Sequence, residues 1–138
     1  MNKLFTTALL LLVLPAAHAF DIQRWRTAEG ATVLLVERHE NPIVDISVQF
    51  PGGGNIADLP GKNGVSDFAA ALLTNGTAQY DEESFNQKIN ELAIYLNSDG
   101  NKESSSLTLR SLSRPTTLRR AGELMQQAIA QPRYDGEV

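Results

Sequence analysis

Two strand-like runs lie almost back to back near the start of this chain, and that adjacency limits what it can fold into. Ala31 to Arg38 (ATVLLVER) is rich in β-branched and aliphatic residues. Ile43 to Phe50 (IVDISVQF) sets apolar Ile46, Val48 and Phe50 against polar Asp45, Ser47 and Gln49, the period-two pattern of a half-buried strand. Only His39-Glu40-Asn41-Pro42 separates the runs, a link short enough for an antiparallel hairpin.

Gly52-Gly53-Gly54 then interrupts the pattern, and residues 51–63, with two Pro and four Gly, read as loop. The glycines do not make a phosphate loop, because the Lys and Ser/Thr that should follow are missing. Helical spacing begins at Gly64: Val65, Phe68 and Leu72 share a face, Asn63 is positioned as N-cap, and Gly76 as the stop. A second helix is capped by Asp81 and builds a face from Phe85, Ile89, Leu92, Ala93 and Leu96, with Asn97 to Gly100 ending it. Ser104 to Leu112 alternates as a strand, and Pro115 opens a helix with Leu118, Ala121, Leu124, Met125, Ala128 and Ile129 on one side, ending at Pro132. The order β-β-α-α-β-α, with helices grouped after a hairpin, predicts an α+β fold: an antiparallel sheet layered with helices, not an alternating parallel sheet.

Residues 1–19 read as a secretory signal peptide, with Lys3 at its positive start, an apolar stretch from Leu4 to Ala17, and Ala17-His18-Ala19 before the cut at Phe20. The apolar run is shorter than the roughly 20 residues a membrane span requires. Export, to the bacterial periplasm, is therefore expected. What remains, residues 20–138, has the size of one small domain. With 12 Lys and Arg against 16 Asp and Glu, the chain lacks the basic footprint of a nucleic-acid partner. There is no cysteine, which excludes thiol chemistry and disulfides. His39 is the one histidine left after the signal is removed.

Several segments together resemble the pitrilysin/insulinase-type zinc peptidases, or inverzincins. Glu29-Gly30-Ala31, the strand ending Val36-Glu37, and Asn41-Pro42 before the alternating strand are similar to that family's opening hairpin. Gly64-Val65-Ser66-Asp67-Phe68-Ala69-Ala70-Ala71-Leu72 followed by Gly76-Thr77 stands where active members carry Gly-Leu-Ala-His-Phe-Leu-Glu-His-Met and a Gly-Thr, and Leu96-Asn97-Ser98 resembles their Leu-Asn-Ala step. The resemblance covers only the first part of the family's usual domain, so residues 20–138 read as a partial peptidase-like N-terminal domain.

In that family an H-x-x-E-H helix places two imidazoles on zinc, and its Glu serves as general base. Here the three positions hold Asp67, Ala70 and Ala71. A methyl group offers no lone pair, and one carboxylate falls short of the three protein ligands of a catalytic zinc. With no Cys and only His39 after processing, no two-histidine or thiolate site is available either. A further acidic ligand of the family would lie past the present C-terminus, and Glu137 is too isolated to replace it. The expectation is a chain with no metal, no cofactor and no peptidase activity of its own, although active relatives would carry zinc.

Asp67 fits the role of a helix-dipole partner at the start of its helix, and His39 that of a solvated turn residue. Asn97 and Ser98 support two readings: they terminate the preceding helix, or, as the resemblance implies, they belong to the edge that takes an extended peptide as an added strand, near residues 97–106. The resemblance implies a catalytically silent subunit supporting peptide binding or proteolysis by a zinc-bearing homologous partner. Two alternatives stand beside it: a free-standing periplasmic peptide-binding or chaperone-like module, and a fragment with no independent function.

Overall fold

The computed structural model describes residues 21–134. The signal-peptide segment 1–19 and Glu137 lie outside these residues. The chain divides between Glu40 and Asn41 into two units. In the first, β1 (Ile22–Arg26) pairs antiparallel with β2 (Thr32–Val36), Trp25 standing opposite Val33. Gly30, at φ 91°, makes the turn, and its N–H donates to the Thr27 carbonyl at 3.0 Å. A positive φ suits glycine because it has no Cβ.

The expected hairpin between residues 31–38 and 43–50 does not form. The first run takes β1 as its partner, and the second, β3 (Ile43–Pro51), takes β5 (Ser104–Leu112). The Gly30 turn closes β1 on β2 locally, while the Pro42 carbonyl accepts from the Ser113 N–H at 2.9 Å and continues the β3–β5 ladder. β1 escaped notice because IQRWR carries two arginines and a glutamine and lacks an apolar stripe.

The second unit is built on a sheet in the order β3-β5-β4, entirely antiparallel, with β4 spanning Tyr95–Gly100. Its register aligns Ile46, Leu109 and Leu96 in one row and Val48, Leu107 and Ser98 in the next. Leu107 and Leu109 are fully buried, packed with Phe85, Ile94, Leu96, Ala121, Leu124, Met125 and Ala128. The opposite face is mostly polar, with Ile43, Leu112 and Tyr95 exposed toward one end. There Arg110 donates to both oxygens of Asp45 across the strands, at 2.6 and 2.9 Å. One apolar and one solvated face is the usual division in an antiparallel sheet.

Helices α1 (Val65–Leu72), α2 (Glu82–Leu92) and α3 (Pro115–Ala130) complete the unit. α3 opens on Pro115 as expected and buries Ala121, Leu124, Met125 and Ala128. α2 is capped by Asp81, whose carboxylate accepts from the Ser84 N–H at 2.8 Å. It ends earlier than its periodicity predicts. Ala93 adopts a left-handed conformation, φ 49°, and the N–H groups of Ala93 and Ile94 close the helix on the Asn90 and Ile89 carbonyls. Leu96 is therefore a buried strand residue of β4 and not part of the helical face. Its i, i+4 spacing from Leu92 had concealed the switch of period. Among the described residues no helix is long and apolar enough to cross a membrane. The architecture is α+β, as the sequence predicts, with two more strands than expected.

Candidate functional site

α1 carries Asp67, Ala70 and Ala71, the positions that the resemblance sets against the family's zinc motif, and most of what holds it lies outside the helix. Its first residue follows Gly64, which is left-handed at φ 89° and has no side chain with which to cap. Asn63, the expected N-cap, plays no such part. Asp58 does the work from the preceding loop: its carboxylate accepts from the N–H groups of Gly64 and Ser66, at 2.6 and 3.0 Å, and from the Ser66 hydroxyl. That hydroxyl, helped by backbone N–H groups of Ser66, Gly64 and Val65, holds the Asp58 carboxyl below its ordinary range. Gly76, the expected stop, lies beyond the end of the helix at Leu72, with φ 122°.

Asp67 and Ala70 face the end of β4. Asp67 Oδ2 accepts from the Asn55 side-chain amide at 2.7 Å. Its Oδ1 sits 2.7 Å from where a Cβ on Gly100 would stand, with the Ala70 methyl at 3.6 Å from the same point. Gly100 is thus required for close approach. Ala70 is buried, whereas Ala71 is exposed. The glycine-rich loop has a similar purpose. A side chain on Gly54 would run into the backbone of Asn101, Glu103 and Ser104, within 2.4–2.6 Å. Gly52, Asn55 and Ile56 donate their N–H groups to the carbonyls of Glu103, Asn101 and Lys102. Sequence reasoning missed Asp58, Asn55, Gly54 and Gly100, because each acts on a partner that no local pattern brings near.

Asn97 and Ser98 lie within β4, so they do not terminate a helix. Among the described residues β4 is an edge of its sheet, paired on one side with β5 alone. Alternate residues of an antiparallel edge direct their N–H and C=O groups away from the sheet. Neighbouring side chains point to opposite faces: Tyr95, Asn97 and Asp99 are exposed, while Leu96 is buried and Ser98 half-buried. The Asn97 and Ser98 side chains therefore point to opposite faces of the sheet, and what the two residues offer in common along the edge is backbone. On another side of α1 a groove of about 330 Å³ is lined by Phe50, Ala69, Ala70, Leu73, Ile129 and Tyr134, among others. His39 is exposed, 3.6 Å from Glu37.

No family model matches the chain, and no curated protein matches it. Solved structures do. A peptidase M16 inactive domain from Pseudomonas fluorescens superposes with a TM-score of 0.79 at 29% identity, over 85% of this chain and 28% of that one. The chain has a pitrilysin-like M16 peptidase fold. A protease from Helicobacter pylori matches with a TM-score of 0.72 over 86% of this chain and 28% of that one; at 13% identity it shares the fold alone. The chain thus spans 28% of the length of each of these two solved chains.

The M16 fold raises the question of zinc, which the donor set answers at the motif positions. Asp67 has committed one oxygen to Asn55 and packed the other against Gly100. Ala70 and Ala71 have no lone pair to offer a metal and no group to accept a proton. One carboxylate, so engaged, does not make the three-ligand open site of a catalytic zinc, and these residues do not fit the ion. Among the described residues no three His, Cys, Asp or Glu side chains gather into a group that could hold a metal.

Proposed function

We propose that this chain is an exported, catalytically silent M16 homologue that holds extended peptides and supports proteolysis by a zinc-bearing homologous subunit. One juxtaposition carries the reading. A helix with Asp67, Ala70 and Ala71 where the family carries ligands and base lies against β4, a strand whose outer edge is unpaired among the described residues. The chemistry is lost while the surface for strand addition persists, and main-chain hydrogen bonds along an edge supply affinity without demanding a particular sequence. The 29% identity to an inactive M16 domain points the same way. The signal-peptide pattern of residues 1–19 is what supports the bacterial periplasm as the chain's compartment.

The test is to purify the full chain alone and together with a homologous subunit that has an intact H-x-x-E-H motif. Zinc content, cleavage of an unstructured labelled peptide and binding of that peptide are then compared. Cleavage with both chains at a rate above the zinc subunit alone, and none with this chain alone, is the expected result. Peptide binding without any effect on the zinc subunit would favour the free-standing binding module. Stoichiometric zinc in this chain alone, with cleavage that a chelator abolishes, would overturn the proposal.

A further inference from the structure

We infer that Asp67 is a positioning residue, a strut between the glycine-rich loop and the end of β4 that sets the open edge for an incoming strand; this rests on the edge-binding reading above. The two carboxylate oxygens are used differently. Oδ2 takes the Asn55 amide at 2.7 Å. Oδ1 is shut off from solvent, has no hydrogen-bond partner, and lies against Gly100. A carboxylate present only to complement the helix dipole would turn toward water or toward the free N–H groups of the first turn. Those of Gly64 and Ser66 are already taken by Asp58. Asp67 is therefore free of capping duty, and its contacts run instead to the loop and the strand.

Those contacts close a circuit. From α1, Asp67 reaches Asn55 through its amide; the Asn55 N–H donates to the Asn101 carbonyl at 3.2 Å; Asn101 follows Gly100 in the chain; and Gly100 packs back on Asp67. The turn beyond β4 is braced as well, since Asn101 Oδ1 accepts from the N–H groups of Glu103 and Ser104 at 2.9 and 3.0 Å. Adding a strand to an edge costs less when the edge is already ordered. The circuit orders the last residues of β4 without occupying the edge. Oδ1 packs against Gly100, where a Cβ would stand 2.7 Å from it.

Hydrogen exchange on the full chain, combined with titration of a labelled peptide of alternating threonine and valine, tests this. Asp67→Ala is expected to speed exchange in residues 55–57 and 95–100 by about tenfold, leave α3 unchanged, and weaken probe binding by roughly fivefold to tenfold. Exchanging the pair, Asn55→Asp with Asp67→Asn, keeps the hydrogen bond and is expected to recover both properties. Gly100→Ala, which drives a methyl into Asp67, should loosen the same residues, and its effect with Asp67→Ala should be less than additive. Unchanged exchange in Asp67→Ala, or an exchanged pair no better than Asp67→Ala, would overturn the strut. Faster exchange with unaltered probe affinity would overturn its positioning role. A wild-type chain that binds no probe overturns the edge reading and the positioning role together, while exchange still shows whether the strut exists.

Discussion

Helices α1 and α3 belong to the same unit but are held by opposite means. α3 buries Ala121, Leu124, Met125 and Ala128 along one side and has neither an acidic first turn nor a side-chain cap. α1 buries only Ala70 and leaves Val65 and Phe68 more than half exposed. Apolar contact fixes the first; the second is pinned by Asp58 at its start, by Asp67 on its flank, and by glycines that let backbone approach. An element held by a few polar contacts opens more readily than one anchored in a core. The helix that bears Asp67, Ala70 and Ala71 is thus the more easily displaced of the two.

The largest way to break this contrast is in α3. Leu124 is 5% exposed within the core cluster, and Leu124→Ala is expected to cost about 2–5 kcal/mol through lost burial and the cavity left behind. Denaturant unfolding measures it. A loss under about 1 kcal/mol would mean that the site collapses onto the gap and that α3 is not the anchor claimed here.

Asp58→Ala addresses the other mode. Removing the carboxylate frees the N–H groups of Gly64 and Ser66, so exchange across residues 64–68 should rise on the order of tenfold, with a smaller fall in global melting temperature than Leu124→Ala produces. Uniform acceleration throughout the unit would instead show that α1 and α3 open together. Asp58→Asn, which retains one acceptor oxygen, should lie between the variant and the wild type.

This division also explains what could be read in advance. α3, β3, β5 and most of α2 were legible because their apolar spacing matches the face they bury: Phe85 and Ile89 on one helix, Leu124 and Ala128 on another, Leu107 and Leu109 on a strand. The site was legible only as a set of motif positions. Its supports are pairwise and distant, such as Asp58 with Ser66, Asp67 with Asn55 and Gly100, and Gly54 with the Asn101–Ser104 turn. No period marks them. The mistaken hairpin has the same origin, since β-branched, aliphatic composition in β2 and alternation in β3 reveal strands and say nothing about which partner each will choose.

Acid should separate the helices more gently. Asp58 is held below its ordinary range chiefly by the Ser66 hydroxyl, and Asp81 chiefly by the Ser84 side chain. A carboxyl whose folded value is depressed binds protons more readily in the unfolded chain. Its stabilisation is complete above the unfolded value of about 3.9 and is lost as pH falls through the lower folded value. Below roughly pH 4, therefore, the starts of α1 and α2 should lose exchange protection before α3, which has no such carboxylate at its start. In Asp58→Asn the α1 component of this pH dependence should disappear while that of α2 stays. Simultaneous loss of protection in α3 would mean that the caps and the core respond as one.

The smallest effect is expected at Phe68, the residue that most clearly departs from the pattern of α3. It is 64% exposed, on a helix whose neighbouring loop also exposes Ile56 and Leu59. If α1 is held by its polar pins, Phe68 contributes little to the folded state, and Phe68→Ser should shift unfolding by no more than about 0.5 kcal/mol. Serine and phenylalanine have similar helix propensities, so the helix itself does not confound the comparison. Denaturant midpoints, read at an unchanged slope, provide the measurement. A loss near 2 kcal/mol would place Phe68 under cover in solution, and its dependence on protein concentration would distinguish a second copy of the chain from burial within one.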